Sequence, residues 1–308
     1  MPNHVDDASG SGRVATDAPA PGEDEATSSP DPPPDPFLKD DCLDTTRPNR
    51  ARVWDHWSGG KDTYPVDRDA GDAFLAAYPQ IGDIARVSRA FRCRVVRFLA
   101  AECGVRQFVD IDPGLPLGDH TQEVAQRVEP SCRTVYADGD ALVMAHARAL
   151  LTSDPGGVCG YVHADITRPD LILAGAAEPL DLDQPVAVLL INVLGHVPDF
   201  GQALAAIRHL TKALAPGSFL AVSDLTDTSP ELVEATGRLN EQTTTPYTLR
   251  SPDQIAGLLE GLEPVEPGMV TTSRWRPEPG PWDPPDPVDA WCGLGRTHGG
   301  AAHDSSAI

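Results

Sequence analysis

The chain has 308 residues, 40% of them hydrophobic, enough for one large core or two small ones. Its formal net charge of −22, from 46 acidic and 24 basic residues, sets it against nucleic-acid backbones and anionic membrane surfaces. No run of about 18 apolar residues occurs to span a membrane, and the acidic, Pro-rich start reads as no secretion signal, so a cytoplasmic location is expected.

Residues 1–36 carry eight Pro, six Asp and two Glu against one Arg, and Val5 and Val14 are almost their only apolar side chains. Such a segment buries too little surface to offset its ordering entropy, so a disordered acidic tail is expected. Residues 37–104 are expected to form an N-terminal helical cap or lid. In it Trp54 and Trp57 stand three apart, on one helix face. Gly59-Gly60 then ends that helix and hands over to Lys61-Asp62. Residues 69–78 and 81–103 read as two further helices, the second from its apolar positions Ile81, Ile84, Val87, Phe91, Val95 and Phe98. Pro79 separates them.

From 105 to 297 strands alternate with helices. Residues 105–111 read as strand 1, 121–128 as a helix, 133–137 as strand 2, and 140–151 as a helix capped by Asp140. Residues 160–163 read as strand 3 and 169–176 as a short helix. Residues 185–191, PVAVLLI, are a continuous apolar run of the kind shown by a strand buried on both faces. A helix over 201–214, strand 5 over 217–223 and helices over 230–240 and 251–260 follow. Residues 262–271 and 288–297 read as a terminal strand pair, separated by a Pro-rich loop over 277–287. The end of the chain, 298–308, is expected to be disordered. Repeated βα units predict an α/β fold: one mostly parallel sheet with helices on both faces.

Acids close the first three strands. Asp110 ends strand 1, where side chains face the ligand crevice of such sheets. Gly114 lets the backbone turn tightly or approach a ligand, and the following helix offers unpaired N–H groups. Asp138, after strand 2, can accept hydrogen bonds from both hydroxyls of a ribose. Asp165, after strand 3, can accept from an adenine amino group. Each acid by itself is also an ordinary cap or loop residue. Cys42, Cys93, Cys103, Cys132, Cys159 and Cys292 are scattered, without metal-ligand spacing, and read as reduced thiols with no metal site.

Six segments, taken in order, carry a resemblance: ARVWDHWSGGKDTYPVDR (51–68), RQFVDIDPGLPLGDHTQEVAQ (106–126), TVYADGDALVMAHARALL (134–151), DLDQPVAVLLINVLGHVPD (181–199), ALAPGSFLAVSD (213–224) and GLEPVEPGMVTTSRWRP (261–277). Together they make the chain resemble the actinobacterial S-adenosyl methyltransferase family, once a domain of unknown function, with the class I methyltransferase fold. The resemblance implies a Rossmann-like, seven-stranded sheet of order 3-2-1-4-5-7-6. It implies S-adenosyl-L-methionine as cofactor and methyl transfer to a small-molecule substrate, without nucleic acid, membrane or metal. A homodimer is the assembly considered.

By position the resemblance places Asp110, Asp112 and Gly114 at the methionine end, Asp138 and Gly139 at the ribose, and Asp165 and Ile166 at the adenine. Asn192 to His196 lies where the acceptor meets the cofactor, and His196 is the expected base, ahead of His56 and His120. Trp54, Trp57, Gly60, Lys61, Asp62 and Tyr64 are expected in a lid or substrate wall. The chain departs from the family at the crevice. A glycine usually stands where Asp112 is, and a small residue where Pro113 is. The family's Asn-Thr-His is His120-Thr121-Gln122 here. Its Asp-Pro is Asp140-Ala141, and its His-aromatic pair after strand 4 is Gly195-His196. Asp112 is expected to crowd the methionine end, and Pro113 removes one N–H donor. These changes motivate a second expectation, a cofactor-binding or regulatory protein with impaired catalysis on the same fold. A nucleotide-dependent oxidoreductase is disfavoured, because the complete GxGxxG is missing after strand 1.

Overall fold

The structure, a computed structural model, describes residues 43–278 and 286–298. The chain divides into two units, 1–39 and 40–308, and only the second contains described residues. The expected tail over 1–36, all of the one expected over 298–308 except His298, most of the 277–287 loop and Cys42 lie outside the described residues.

Five strands run parallel: β1 (Gln107–Ile111), β2 (Arg133–Ala137), β3 (Val158–Val162), β4 (Ala187–Ile191) and β5 (Phe219–Leu225). Two short pieces, β6 (Glu263–Pro264) and β7 (Val270–Thr271), pair antiparallel with β8 (Ala290–Arg296), which runs antiparallel to β5. The order is β3-β2-β1-β4-β5-β8-β6, with β7 also on β8. This is the expected class I order, with the single strand read over 262–271 broken in two. Pro264 and Pro267 offer no N–H to a ladder, and Gly268 turns the chain at φ 79°.

Alternation along the strands builds two cores. Val109, Ile111, Val188, Leu190, Leu220 and Val222 face one side, and the helices α6 (Pro169–Ala176) and α7 (Phe200–Lys212) cover it. Phe108, Ala187, Leu189, Phe219 and Ala221 face the other. There Phe91, Val95 and Leu99 of α3 (Ile81–Ala101) pack with Val124 of α4 (Thr121–Val128) and Trp275. Ala187, Leu189 and Leu190 of β4 are wholly buried between these layers, which is why that strand reads as an unbroken apolar run. Truncating Leu189 to Ala would cost about 2–5 kcal/mol.

A third apolar cluster holds the N-terminal helices to the sheet. Val53 and Trp57 of α1 (Arg50–Trp57), Phe74 of α2 (Pro65–Ala77) and Ile81 and Ile84 of α3 pack on Leu225, Tyr247 and Leu232 of α8 (Pro230–Asn240). The helix α2 starts four residues before the expected position 69. Pro65 suits a first turn, and the Asp67 carboxylate accepts the Tyr64 N–H at 2.9 Å, forming a capping box. Buried Arg52 donates to the same carboxylate at 2.6 Å, so one acid ties α1 to the start of α2. The last two helices are α5 (Ala141–Leu150), capped by Asp140 as expected, and α9 (Pro252–Gly257), shorter than the 251–260 read from sequence.

Candidate functional site

Strand register decides which residues meet. Ile111 pairs with Ala137 of β2 and with Leu190 of β4, so the residues just past these strands emerge side by side. Asp110, Asp112, Gly114, Asp138 and Asn192 line one crevice there, closed above by Arg50, Trp54 and Asp55 of α1 and by Arg89 and Arg92 of α3. Its free space is about 840 Å³ including the open mouth.

On the β1 side, buried Asp110 accepts the Thr121 hydroxyl at 2.6 Å, and Arg92 stands 3.9 Å from it. Burial raises the Asp110 carboxyl above its ordinary range, and Arg92 and Thr121 oppose that. Asp112 sits at φ 51°, a left-handed conformation that suits glycine and that Asp tolerates better than most residues. Its side chain is paired with a cation from the lid. Arg50 donates to Oδ1 at 2.6 Å, and its guanidinium also lies 3.7 Å from Asp138. Burial works against the Arg50 charge, but Asp112 and Asp138 outweigh it and hold the guanidinium protonated. Asp112 Oδ2 is buried without a hydrogen-bond partner among the described residues, as is Arg92 Nε.

On the β2 side, Asp138 accepts the Asp140 N–H at 2.8 Å. Burial first, then the Asp112 charge, push its carboxyl well above the ordinary range, against the pull of Arg50. Asp140 accepts Asn49 Nδ2 at 2.7 Å and caps α5, so the lid's first helix is tied to the second βα loop. Gly139 packs closely on Asp165; a Cβ there would lie 3.1 Å from the Asp165 Cβ. Asp165 accepts the Thr167 N–H at 2.8 Å, and its charge is near enough to raise Asp112. Ile166 beside it is buried.

After β4, Asn192 adopts φ 59°, and its side-chain Oδ1 is buried with no partner among the described residues. A 3-10 turn, Leu194–His196, follows. The His196 Nδ1–H donates to the Pro246 carbonyl at 3.1 Å, which leaves the lone pair on Nε2. Burial, helped by Arg50, pushes this imidazole down to about 3, so it is neutral near pH 7. Its ring meets Tyr247 edge to face at 4.9 Å. The Tyr247 hydroxyl donates to buried Asp224, which also accepts the Gly195 N–H at 3.3 Å. Gly195 is required here: a Cβ would lie 2.2 Å from the Tyr247 ring. Tyr247 thus fills the space that a larger residue at 195 would occupy.

The lid residues separate into two groups. Trp54 lines the crevice, and it also lines a second cavity with Trp57, whose ring is 5.3 Å from it. Lys61 and Asp62 are exposed, and neither lines either cavity. Gly60 is in place for packing, since a Cβ would overlap the Asp55 carboxylate at 1.9 Å. Asp55 in turn accepts the Asp62 N–H at 3.0 Å, so the GGKD turn braces a crevice residue from behind. Tyr64 caps α2 under the Arg52 guanidinium. His56 is spent on Asp72 at 2.8 Å, and His120 caps α4, pushed down to about 4 chiefly by burial and Arg92.

Sequence reasoning missed Arg50, Arg89, Arg92, Asp224 and Tyr247. The one available signal was Asp112 itself: an acid replacing glycine in a buried loop requires a cation, and RPNRARVW holds the nearest unassigned ones.

The arrangement can hold a molecule with a ribose, an adenine and a zwitterionic end. Asp138 and Asp165 offer acceptors for the first two. Unpartnered Asn192 Oδ1 and Asp112 Oδ2 suit an ammonium, and unpartnered Arg92 Nε suits a carboxylate. S-adenosylmethionine has this donor and acceptor pattern. The sheet and crevice together define a class I methyltransferase.

The S-adenosyl methyltransferase family matches residues 38–298. A DUF574 family protein from Streptomyces avermitilis is 36% identical, with 83% of this chain and 100% of that one covered at a TM-score of 0.77. A protein from Thermobifida fusca, provisionally assigned as a methyltransferase, is 34% identical, with 86% and 98% covered at a TM-score of 0.75. None of the curated proteins compared matches the chain. The chain belongs to the S-adenosyl methyltransferase family and is an S-adenosylmethionine-dependent methyltransferase.

Proposed function

We propose that the crevice at the carboxyl ends of β1, β2 and β4 holds S-adenosylmethionine, and that an acceptor receives the methyl beside His196. The observation that carries this reading is the convergence of Asp110, Asp112, Asp138 and Asn192 on one crevice with His196 at its edge. Asp138 receives the ribose hydroxyls in it, and Asp165 and Ile166, beside the crevice lining next to Gly139, receive the adenine. Asn192 and Asp112 receive the amino group, and Arg92 the carboxylate.

The bound cofactor supplies an activated methyl on a sulfonium sulfur. The protein's part is to orient the acceptor, exclude water and accept a proton. His196 is neutral and carries its lone pair on Nε2, so it can accept a hydrogen bond from an acceptor O–H or N–H. Its basicity is lowered by burial and Arg50, which suits it to orienting the acceptor through that hydrogen bond. The acceptor is a small molecule. The net charge of −22 opposes a nucleic-acid substrate. Among the described residues no helix is long and apolar enough to cross a membrane, and we place the chain in the cytoplasm.

One observation favours the second reading, a binding protein with weakened catalysis. Arg50 lies against Asp112 and Asp138, the two acids nearest the expected ribose and methionine positions. A bound cofactor shares these two carboxylates with Arg50. Calorimetric titration with S-adenosylhomocysteine decides: a micromolar Kd supports an open cofactor site, and no binding below about 1 mM removes the proposed site.

A further inference from the structure

We infer that the cavity behind His196 is the acceptor pocket, and that it takes a flat, uncharged, largely apolar molecule carrying a nucleophilic O–H or N–H. This rests on the crevice being the cofactor site. The cavity shares Arg50, Trp54 and His196 with the crevice, so the two spaces meet at the imidazole. It is a small cavity walled mainly by side chains of α1, α2 and α8, which favours a compact molecule over a long chain.

The chemistry of the wall selects the ligand. Val53, Trp54, Trp57, Phe74, Leu225 and Leu239 supply an apolar and aromatic surface. The Trp57 and Phe74 rings lie 4.7 Å apart, forming a fixed aromatic corner, and the Trp57 N–H is already spent on the Gly71 carbonyl.

Most polar side chains in the lining are already engaged within the protein. Asn49 Oδ1 accepts the Arg52 N–H, and its Nδ2 donates to Asp140. Asn240 bonds both backbone groups of Tyr247 at 2.8 Å. Thr243 donates to the Pro48 carbonyl and shares a bond with Thr245. Tyr247 donates to Asp224, and the Arg50 charge is turned to Asp112. One hydroxyl is left over. Thr236, 5% exposed on α8, has no partner for Oγ1 among the described residues, although a helical Thr can usually bond back to its own helix. The lining contains no carboxylate, and its cation, Arg50, is paired with Asp112 at 2.6 Å, so a charged acceptor would lose hydration with no free counter-charge to replace it. A neutral molecule with one group for His196 and a second polar group for Thr236 can pair with both without burying a charge.

The test is calorimetry on the full chain with 2-naphthol and 2-naphthoate as probes, with and without saturating S-adenosylhomocysteine. We expect 2-naphthol to bind in the micromolar range and 2-naphthoate at least about tenfold more weakly. Leu239→Trp, which fills the cavity, is expected to weaken 2-naphthol at least about tenfold and to leave S-adenosylhomocysteine unchanged. Thr236→Val preserves shape and provides an independent arm: it should leave 2-naphthol within about twofold and weaken 2,7-dihydroxynaphthalene about fivefold. The inference is overturned if S-adenosylhomocysteine binds but 2-naphthol does not bind below the millimolar range. It is also overturned if the naphthoate binds equally well, or if both variants leave all naphthalene affinities unchanged. If 2-naphthol binds and S-adenosylhomocysteine does not, the cofactor reading of the crevice fails and the acceptor role falls with it.

Discussion

The two cavities that meet at His196 are built on opposite principles. The crevice is lined by buried carboxylates, two left-handed backbone turns and polar atoms without partners. The pocket behind it is lined by aromatic and aliphatic side chains, and its Asn49, Asn240, Thr243 and Tyr247 are hydrogen-bonded within the protein. A methyltransferase benefits from this division. The cofactor is a polar zwitterion that needs many directed bonds, whereas an apolar acceptor is drawn in by desolvation and needs direction at one atom. Arg50, Trp54 and His196 form the partition. The same crevice atoms that cost stability when unpaired are those a ligand can satisfy.

The largest expected effect separates the two sites outright. Asp138→Ala should weaken S-adenosylhomocysteine about 100-fold, through lost bonds to a charged acceptor, while 2-naphthol affinity stays within about twofold. Parallel titrations of both ligands check this, and equal losses would show that the cavities are not independent. Gly195→Ala strikes the other side. Its methyl would overlap the Tyr247 ring, displacing the turn that carries His196. We expect about 2 kcal/mol of destabilisation, a fall of roughly 4–8 °C in melting temperature, with the greater binding loss for naphthol.

Arg50→Met tests the partition. It leaves Asp112 without its cation, at an expected cost of about 1–2 kcal/mol, discounted because Arg50 is partly solvated. It also removes one of the two causes that depress His196. In the wild type the imidazole resonance should not titrate between about pH 5 and 8. In the variant its midpoint should move up, and an unmoved midpoint would mean that burial alone holds it down.

The smallest effect is a slope in stability with pH. Burial raises the Asp224 carboxyl to about 6, despite Tyr247, Arg250 and the Gly195 N–H. The unfolded chain releases this proton near pH 4. The folded chain therefore binds more protons between those values and loses stability as pH rises through the window, by at most about 1.4 kcal/mol per pH unit. Asp224→Asn should remove that part of the slope in thermal melts, with both ligand affinities compared at one pH.

Much of the fold was legible. The α4 bounds, the ends of β1, β2 and β4, and the cap at Asp140 follow from periodicity and local capping chemistry. The start of α2 was not, because its cap depends on Asp67, and the same carboxylate is claimed by Arg52 from another helix. The candidate site was legible in part. Asp110, Asp138 and Asn192 stand at strand ends, where local pattern and the α/β rule coincide. Lys61 and Asp62 stood out as a polar pair after two glycines, but in the fold the turn braces Asp55 and leaves both side chains in solvent.

By itself, the sequence determined the family, the order of strands and helices, and the acids at the strand ends. Those depend on patterns a few residues long, repeated in a fixed order. Tertiary structure alone decided that Arg50 pairs with Asp112 across 62 positions, that Tyr247 packs against Gly195, and that Trp57, Phe74 and Leu239 enclose one apolar space. Such contacts join segments far apart in the chain, and no local period records them; they exist only once the sheet fixes where each helix must lie.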